Sequence, residues 1–354
     1  MKITINRTEL LEVMKDLKKL NSRHNIPILE NIKLTAHENT ITATYSDYQL
    51  TIVKTINGTI QENGSILLPF KKLETYARKL KDDFITLSLN TMTAGKKVFT
   101  FDAPDVINYP KLPAITTDGF SLFKDDFINL FKNITYSASK QESRPILTGV
   151  NIVVSQSQIT GNATDSHRMA QKTIEVETGQ DYTAVVPAKQ LDKALKINID
   201  NVLQVHNEEK TLVLKGETTT LFLKKLDGVY PDLNRLKQKQ ANAIVHLSKK
   251  ELLEVIELAQ LVSKESKNSA VKLISDNSST RLETSNNTEN FTSKLNSVHN
   301  GESFTIFFNP SYVLETLKNI DGEKIEFMFD SSVRPFVIGN EDNTYHLITP
   351  VRQR

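Results

Sequence analysis

Three short segments recur in this chain at one fixed spacing, and that spacing constrains the fold more than any single motif. Pro27-Ile28-Leu29 in HNIPILENIKL returns as Pro145-Ile146-Leu147 in SRPILTGVNIV, each residue 118 positions on. Asp47 in TYSDYQL and Asp165 in NATDSHRM are also 118 apart, as are Pro69 in ILLPFKKLETYARKL and Pro187 in AVVPAKQLDKALKI. A third copy is fainter. KELLEVIELA at Lys250–Ala259 repeats TELLEVMKDL at Thr8–Leu17 after 242 residues, then NSAVKLISD and FFNPSYVLETLKNI follow in the same order, with Pro310 lying 123 residues after Pro187. Ordered anchors at such a period mark serial structural units.

Each unit reads as helix, strands, proline-started helix, strands. Asn6 and Ser248 stand three residues before Glu9 and Glu251, the Asn/Ser-x-x-Glu spacing that predicts reciprocal capping of a helix start. Period-2 strands show in NTITATYSDYQLTIVKTI and TLVLKGETTTLFLKKL. The turns Tyr109-Pro110 and Tyr230-Pro231 close the first two units. The expected architecture is α+β, three similar domains over residues 1–118, 119–238 and 239–354. A chain of 354 residues is long enough for several cores.

With 38% hydrophobic residues and no apolar run near the ~20 of a membrane span, a soluble cytoplasmic protein without membrane contact is expected. Zero cysteines exclude disulfides, thiolate metal sites and thiol nucleophiles. The net charge is only +2, so nucleic-acid binding would require charge gathered on one surface. The segments MKDLKKL, PFKKLETYARKL and PAKQLDKALKI place lysines opposite an apolar stripe: Lys15, Lys18 and Lys19; Lys71, Lys72, Arg78 and Lys79; and Lys189, Lys193 and Lys196 at i, i+4 and i+7. Either these are solvated faces, or equivalent helices present one shared basic surface.

Catalysis finds little support. Asp165-Ser166-His167 holds three triad residue types in a row, yet triad members converge from separate elements, and Asp47 occupies the equivalent position without Ser-His. The aspartate reads as a turn residue accepting backbone hydrogen bonds. The seven histidines show no HExxH spacing and no GxxxxGK[ST] loop exists, so no catalytic residue, metal or cofactor is expected.

The runs SASKQESRPILTGVNI, ATDSHRMA, LDGVYPDLNRL, FFNPSYVLETLKNID and VRPFVIGNEDNTYHLITPVRQR resemble the beta sliding clamp family of bacterial DNA polymerase III, across the whole chain and most strongly in its second unit and carboxyl terminus. The resemblance implies a non-catalytic processivity factor: two three-domain protomers closing head to tail into a six-domain ring, helices inside and antiparallel sheets outside. Its partners would be double-stranded DNA without sequence preference, the DNA polymerase III catalytic subunit, the clamp loader and other proteins carrying a clamp-binding motif. Matching segments carry Leu147, Thr164, His167, Arg168, Met169, Pro231, Arg235 and Leu236 into a partner-peptide pocket. Asn309, Tyr312, Val333, Pro335, Leu347, Thr349, Pro350, Val351 and Arg352 join them from the third unit. Arg23 and Gln141 are implied DNA contacts beside the basic helix residues. For the dimer seam the resemblance implies Phe99 and Phe101 against Leu261 and Val262, although alternating Phe99 and Phe101 equally suit the first unit's own core. Thr349 departs from the family's usual Leu or Met, and a hydroxyl on an apolar wall needs a partner. That departure keeps open a clamp-fold scaffold that forms no stable ring.

Overall fold

The structure, a computed structural model, describes residues 1–20, 26–237, 240–264, 270–339 and 344–352; Arg23 lies outside these. The chain forms two compact units, residues 1–128 with 189–225, and 129–188 with 226–354.

The repeat appears as strand-to-helix steps, two per copy. Lys2–Asn6 runs into α1 (Arg7–Leu17), Gly64–Pro69 into α2 (Phe70–Lys79) and Gly119–Phe123 into α3 (Lys124–Phe131). Tyr182–Pro187 leads into α4 (Ala188–Ala194), Ala243–Ser248 into α5 (Lys249–Ser263) and Phe304–Phe308 into α6 (Pro310–Lys318). All described strand pairings are antiparallel. The first unit holds a five-stranded and an eight-stranded sheet, the second a nine-stranded and a four-stranded sheet.

The recurring ELLEV letters are explained by burial. In α1, Leu10, Val13, Met14 and Leu17 are buried; in α5, Leu252, Val255, Ile256 and Ala259 take the same i, i+3, i+4, i+7 stripe. Each larger side chain contributes about 1.5–3 kcal/mol, which outweighs the marginal stability of an isolated 11-residue helix. The capping residues behave as expected, Asn6 accepting from Thr8 N–H and Ser248 from Glu251 N–H. Their glutamates do something else. Glu9 Oε1 accepts from Asn57 N–H at 2.5 Å, and Glu251 Oε1 from Asn296 N–H at 3.1 Å, so in both repeats the carboxylate pins a strand corner to the helix start.

The strand Leu50–Ile56 pairs with Thr219–Lys224 in the first unit, and Arg168–Glu175 with Thr344–Ile348 in the second. These ladders are repeat equivalents, and Lys54 and Lys172 occupy the same place in each, both buried. Lys54 Nζ donates to Asp16 Oδ2 at 2.6 Å and Asn198 O at 2.9 Å; Lys172 Nζ donates to Asn129 Oδ1 at 3.0 Å. Burial alone would raise the Asp16 carboxyl, but bonds from Lys19, Lys54 and Asn198 N–H hold it below its ordinary value.

Candidate functional site

Three equivalent turns share one construction. Asp47 Oδ1 accepts from Gln49 and Leu50 N–H at 3.1 and 2.7 Å, Asp165 Oδ1 from His167 and Arg168 N–H at 2.9 and 3.0 Å, and Asp276 Oδ1 from Ser278 and Ser279 N–H at 2.8 and 2.9 Å. Across the mouth of the first and third turns a hydroxyl pair closes: Ser46 to Thr51, and Ser275 to Thr280, both at 2.7 Å. The second turn breaks the pattern. Met169 stands where the others have threonine, and Thr164 Oγ1 donates instead to Arg168 O at 2.6 Å.

That one exchange creates an apolar floor. Met169 lies opposite Leu347 in the ladder and packs with it and Leu233, flanked by Tyr230 and Tyr345. Thr164 N–H donates to the Tyr230 hydroxyl at 3.1 Å, fixing the tyrosine beside the floor. Above it His167 is exposed, its ring stacked on Tyr312 with centroids 5.9 Å apart. Thr349 N–H and Oγ1–H both donate to His167 O, at 2.9 and 2.8 Å, so the hydroxyl has its partner.

Arg168 does not line this wall. It is 5% exposed, and each of its three nitrogens donates once: Nε to Asp165 Oδ2 at 3.0 Å, Nη2 to Tyr136 O at 3.0 Å, and Nη1 to Glu315 Oε2. The guanidinium also sits 5.2 and 5.0 Å from the Tyr136 and Tyr312 ring centroids. It is a strut between the Asp165 turn and α6. Beneath it, the Tyr136 hydroxyl donates to Thr316 Oγ1 at 2.9 Å and lies 2.8 Å from His346 Nδ1, and burial pushes its pKa up to about 12. Burial would raise the Glu315 carboxyl, yet the Arg168 bond and charge, with Lys140, hold it below its usual value.

The remaining expected wall residues divide by exposure. Leu147 is buried in the turn before Gly149–Ser155, Pro335, Pro350 and Val351 are half-buried, and Pro231, Arg235, Leu236, Val333 and Arg352 are exposed. Arg235 is engaged by Asp232 at 3.3 Å. Asn309 caps α6, its Oδ1 accepting from Ser311 N–H at 2.9 Å, which leaves its amide N–H2 without a role in the cap. Tyr136, Tyr230, Leu233, Glu315 and Tyr345 were missed by sequence reasoning. Tyr230 and Leu233 lie inside the quoted LDGVYPDLNRL run, and Glu315 inside FFNPSYVLETLKNI, but only the fold brings them together.

Among the basic residues, Lys15, Lys72, Lys79, Lys189 and Lys196 are exposed, and so is Gln141. Four basic residues are not free charges: Lys18 and Arg78 both pair with Glu74, at 2.9 and 2.7 Å, and Lys19 and Lys193 are also held. Lys193 Nζ donates to Asp47 Oδ2 at 2.6 Å and Leu20 O at 2.9 Å; Lys19 pairs with Asp16 at 2.6 Å and also donates to Lys196 O. The helix carrying Lys189 and Lys193 ends at Ala194, before Lys196. The seam reading also changes. Phe99 and Phe101 both stack on Tyr76 of α2, at 4.6 and 6.0 Å, and Phe101 is 4% exposed in its own domain's core. The edge strand Lys97–Thr100 instead turns Val98 outward at 64% exposure, while Leu261 on α5 is 65% exposed and Val262 half-buried.

Asp165 has both oxygens engaged in the turn and the strut, so Asp165-Ser166-His167 has no triad geometry. Among the described residues no group of three or more histidine, aspartate or glutamate side chains gathers as a metal site, and no helix is long and apolar enough to cross a membrane.

Known domain families match one per repeat: the DNA polymerase III beta subunit's N-terminal domain over residues 1–113, its central domain over 121–232 and its C-terminal domain over 235–352. The chain belongs to the DNA polymerase III beta-subunit family. Among curated members, the beta sliding clamps of Bacillus subtilis and Staphylococcus aureus are 32% and 30% identical to it, each alignment covering 99% of this chain and 100% and 99% of the relative. The crystal structure of the B. subtilis DNA polymerase sliding clamp matches with a TM-score of 0.93 at 30% identity over 100% of both chains. The beta subunit of Streptococcus pyogenes DNA polymerase matches with 0.94 at 31%, again over both whole chains. The beta-subunit fold therefore spans all three repeats.

Proposed function

We propose that the chain is a DNA sliding clamp, a non-catalytic processivity factor that encircles duplex DNA as a homodimeric ring. Its partners would be the polymerase III catalytic subunit, the clamp loader and other motif-bearing proteins, tethered by peptides seated over Met169 and Leu347. The whole-chain match to the B. subtilis sliding clamp, one family domain per repeat, carries this reading. Domain limits near residues 118 and 238 accord with it. The free edge strand Lys97–Thr100, with Val98 outward, supports a seam against a partner protomer's Leu261 and Val262. Exposed Lys15, Lys72, Lys79, Lys189 and Lys196, with Arg23 and Gln141, would meet phosphates without reading bases. The Met169 floor would receive apolar anchors of an extended peptide, and His167 and the Asn309 amide its backbone.

Sedimentation equilibrium over a dilution series tests the ring. A mass near twice 40.0 kDa that persists on dilution supports it, whereas a monomer at all concentrations supports a clamp-fold scaffold. For the DNA face, Lys→Gln at positions 15, 72, 79 and 189 should each flatten the salt slope of duplex binding by about 0.9, and an unchanged slope would refute the assigned lining.

A further inference from the structure

We propose that Thr349 is a positioning residue that sets the His167 wall in its binding geometry before any peptide arrives, a role that rests on the peptide-pocket reading above. The ladder between Arg168–Glu175 and Thr344–Ile348 ends with Arg168 opposite Ile348. One step farther out, Thr349 N–H donates to His167 O at 2.9 Å and prolongs the ladder beyond the strand. Its hydroxyl donates to the same oxygen at 2.8 Å. One residue thereby takes both acceptor positions of the carbonyl that carries the wall.

Both partners are tied down from behind. Val351 N–H donates to Phe307 O at 2.7 Å, and Pro350 between them fixes its own φ, so the carboxyl-terminal segment cannot swing with Thr349. His167 N–H is held by Asp165 Oδ1 at 2.9 Å, and its ring lies against Tyr312 at an interplanar angle of 14°. His167 is exposed, so packing alone does not hold it in place. A leucine or methionine at position 349 would keep the main-chain bond and lose the hydroxyl bond. Threonine exchanges apolar area for rigidity: a wall ordered in advance loses less freedom when an extended apolar peptide binds, which raises affinity.

Two near-isosteric variants separate the hydroxyl from the methyl group. Thr349→Val removes the O–H, and Thr349→Ser keeps it. The probe is a fluorescein-labelled nonapeptide carrying two leucines and a terminal phenylalanine, followed by anisotropy and stopped flow, alongside hydrogen exchange of residues 162–170 without peptide. The expected result is that Thr349→Val weakens peptide binding about 5-fold and speeds exchange about 5-fold, that Thr349→Ser stays near the parent in both, and that thermal midpoints are unchanged. Loss in Thr349→Ser with Thr349→Val near the parent would assign the role to the methyl group and overturn the proposal, and equal effects of Val and Ser would also overturn it. Exchange in Thr349→Val matching the parent overturns it whether or not the peptide binds. A parent that binds no peptide, with the exchange difference intact, would instead remove the pocket reading and leave the latch.

Discussion

Replacing Arg168 with methionine should loosen the candidate pocket's frame without unfolding the chain. Removing one partner from a buried ionic network costs about 3–5 kcal/mol. Here the lower end applies. The Glu315 side chain is 42% exposed and regains water once its partner is gone. Asp165 keeps two backbone donors on Oδ1, so only its Oδ2 and Tyr136 O lose their donors. Methionine also fits between Tyr136 and Tyr312 and recovers part of the ring contact. About 3 kcal/mol corresponds to roughly a 100-fold rise in local opening. Hydrogen exchange followed by mass spectrometry should show that loss of protection in residues 162–170 and 310–318. Arg168→Lys should fall between, because one ammonium cannot span three acceptors. Protection within about threefold of the parent, or an equal loss in residues 30–56 of the other unit, would refute the strut.

Four further outcomes follow from the same geometry. Asp16→Ala strands Lys54 in a buried site with only Asn198 O, so thermal unfolding should register about 3–5 kcal/mol of destabilisation, and adding Lys54→Met should restore part of it. Glu315 has a folded pKa below its ordinary 4.5, so its contribution is complete above that value and is lost as pH falls through the lowered one; exchange in 310–318 should quicken only under acid, and Glu315→Gln should flatten that dependence. Met169→Thr, which rebuilds the hydroxyl pair of the other turns with Thr164, should cut binding of the labelled nonapeptide at least about 10-fold while circular dichroism stays native. Phe101→Ala should cost about 3–5 kcal/mol of folding stability, whereas Val98→Asp should leave folding intact and weaken only self-association in sedimentation.

The repeat was legible in sequence because its anchors are residues with few substitutes. A proline at a helix start and an aspartate that caps its own turn announce themselves by letter. Side-chain destinations were hidden wherever the partner lies far along the chain. Glu9 and Glu251 have the capping spacing, but a strand-corner amide 45 or more residues away captures them. A helical wheel turns Lys193 toward solvent and cannot show Asp47 waiting there 146 residues earlier. Alternation put Phe99 and Phe101 on one face correctly, yet Tyr76 covers that face. Arg168 was grouped with the wall by the family resemblance alone; of its partners only Asp165 is local, and Tyr136, Tyr312 and Glu315 come from two distant segments. The pocket floor was nearly legible: aligning the three turns from their aspartates sets Met169 against Thr51 and Thr280.

The middle repeat contributes four strands to the eight-stranded sheet of one compact unit and four to the nine-stranded sheet of the other. The compact units are therefore offset by half a period from the sequence repeats. A fragment cut after residue 118 would leave Leu50–Ile56 as a raw edge, stripped of its Thr219–Lys224 neighbour and open to pairing with other chains. Deleting the middle repeat would truncate both large sheets at once. The repeats share one plan, yet each large sheet is completed by strands from two of them.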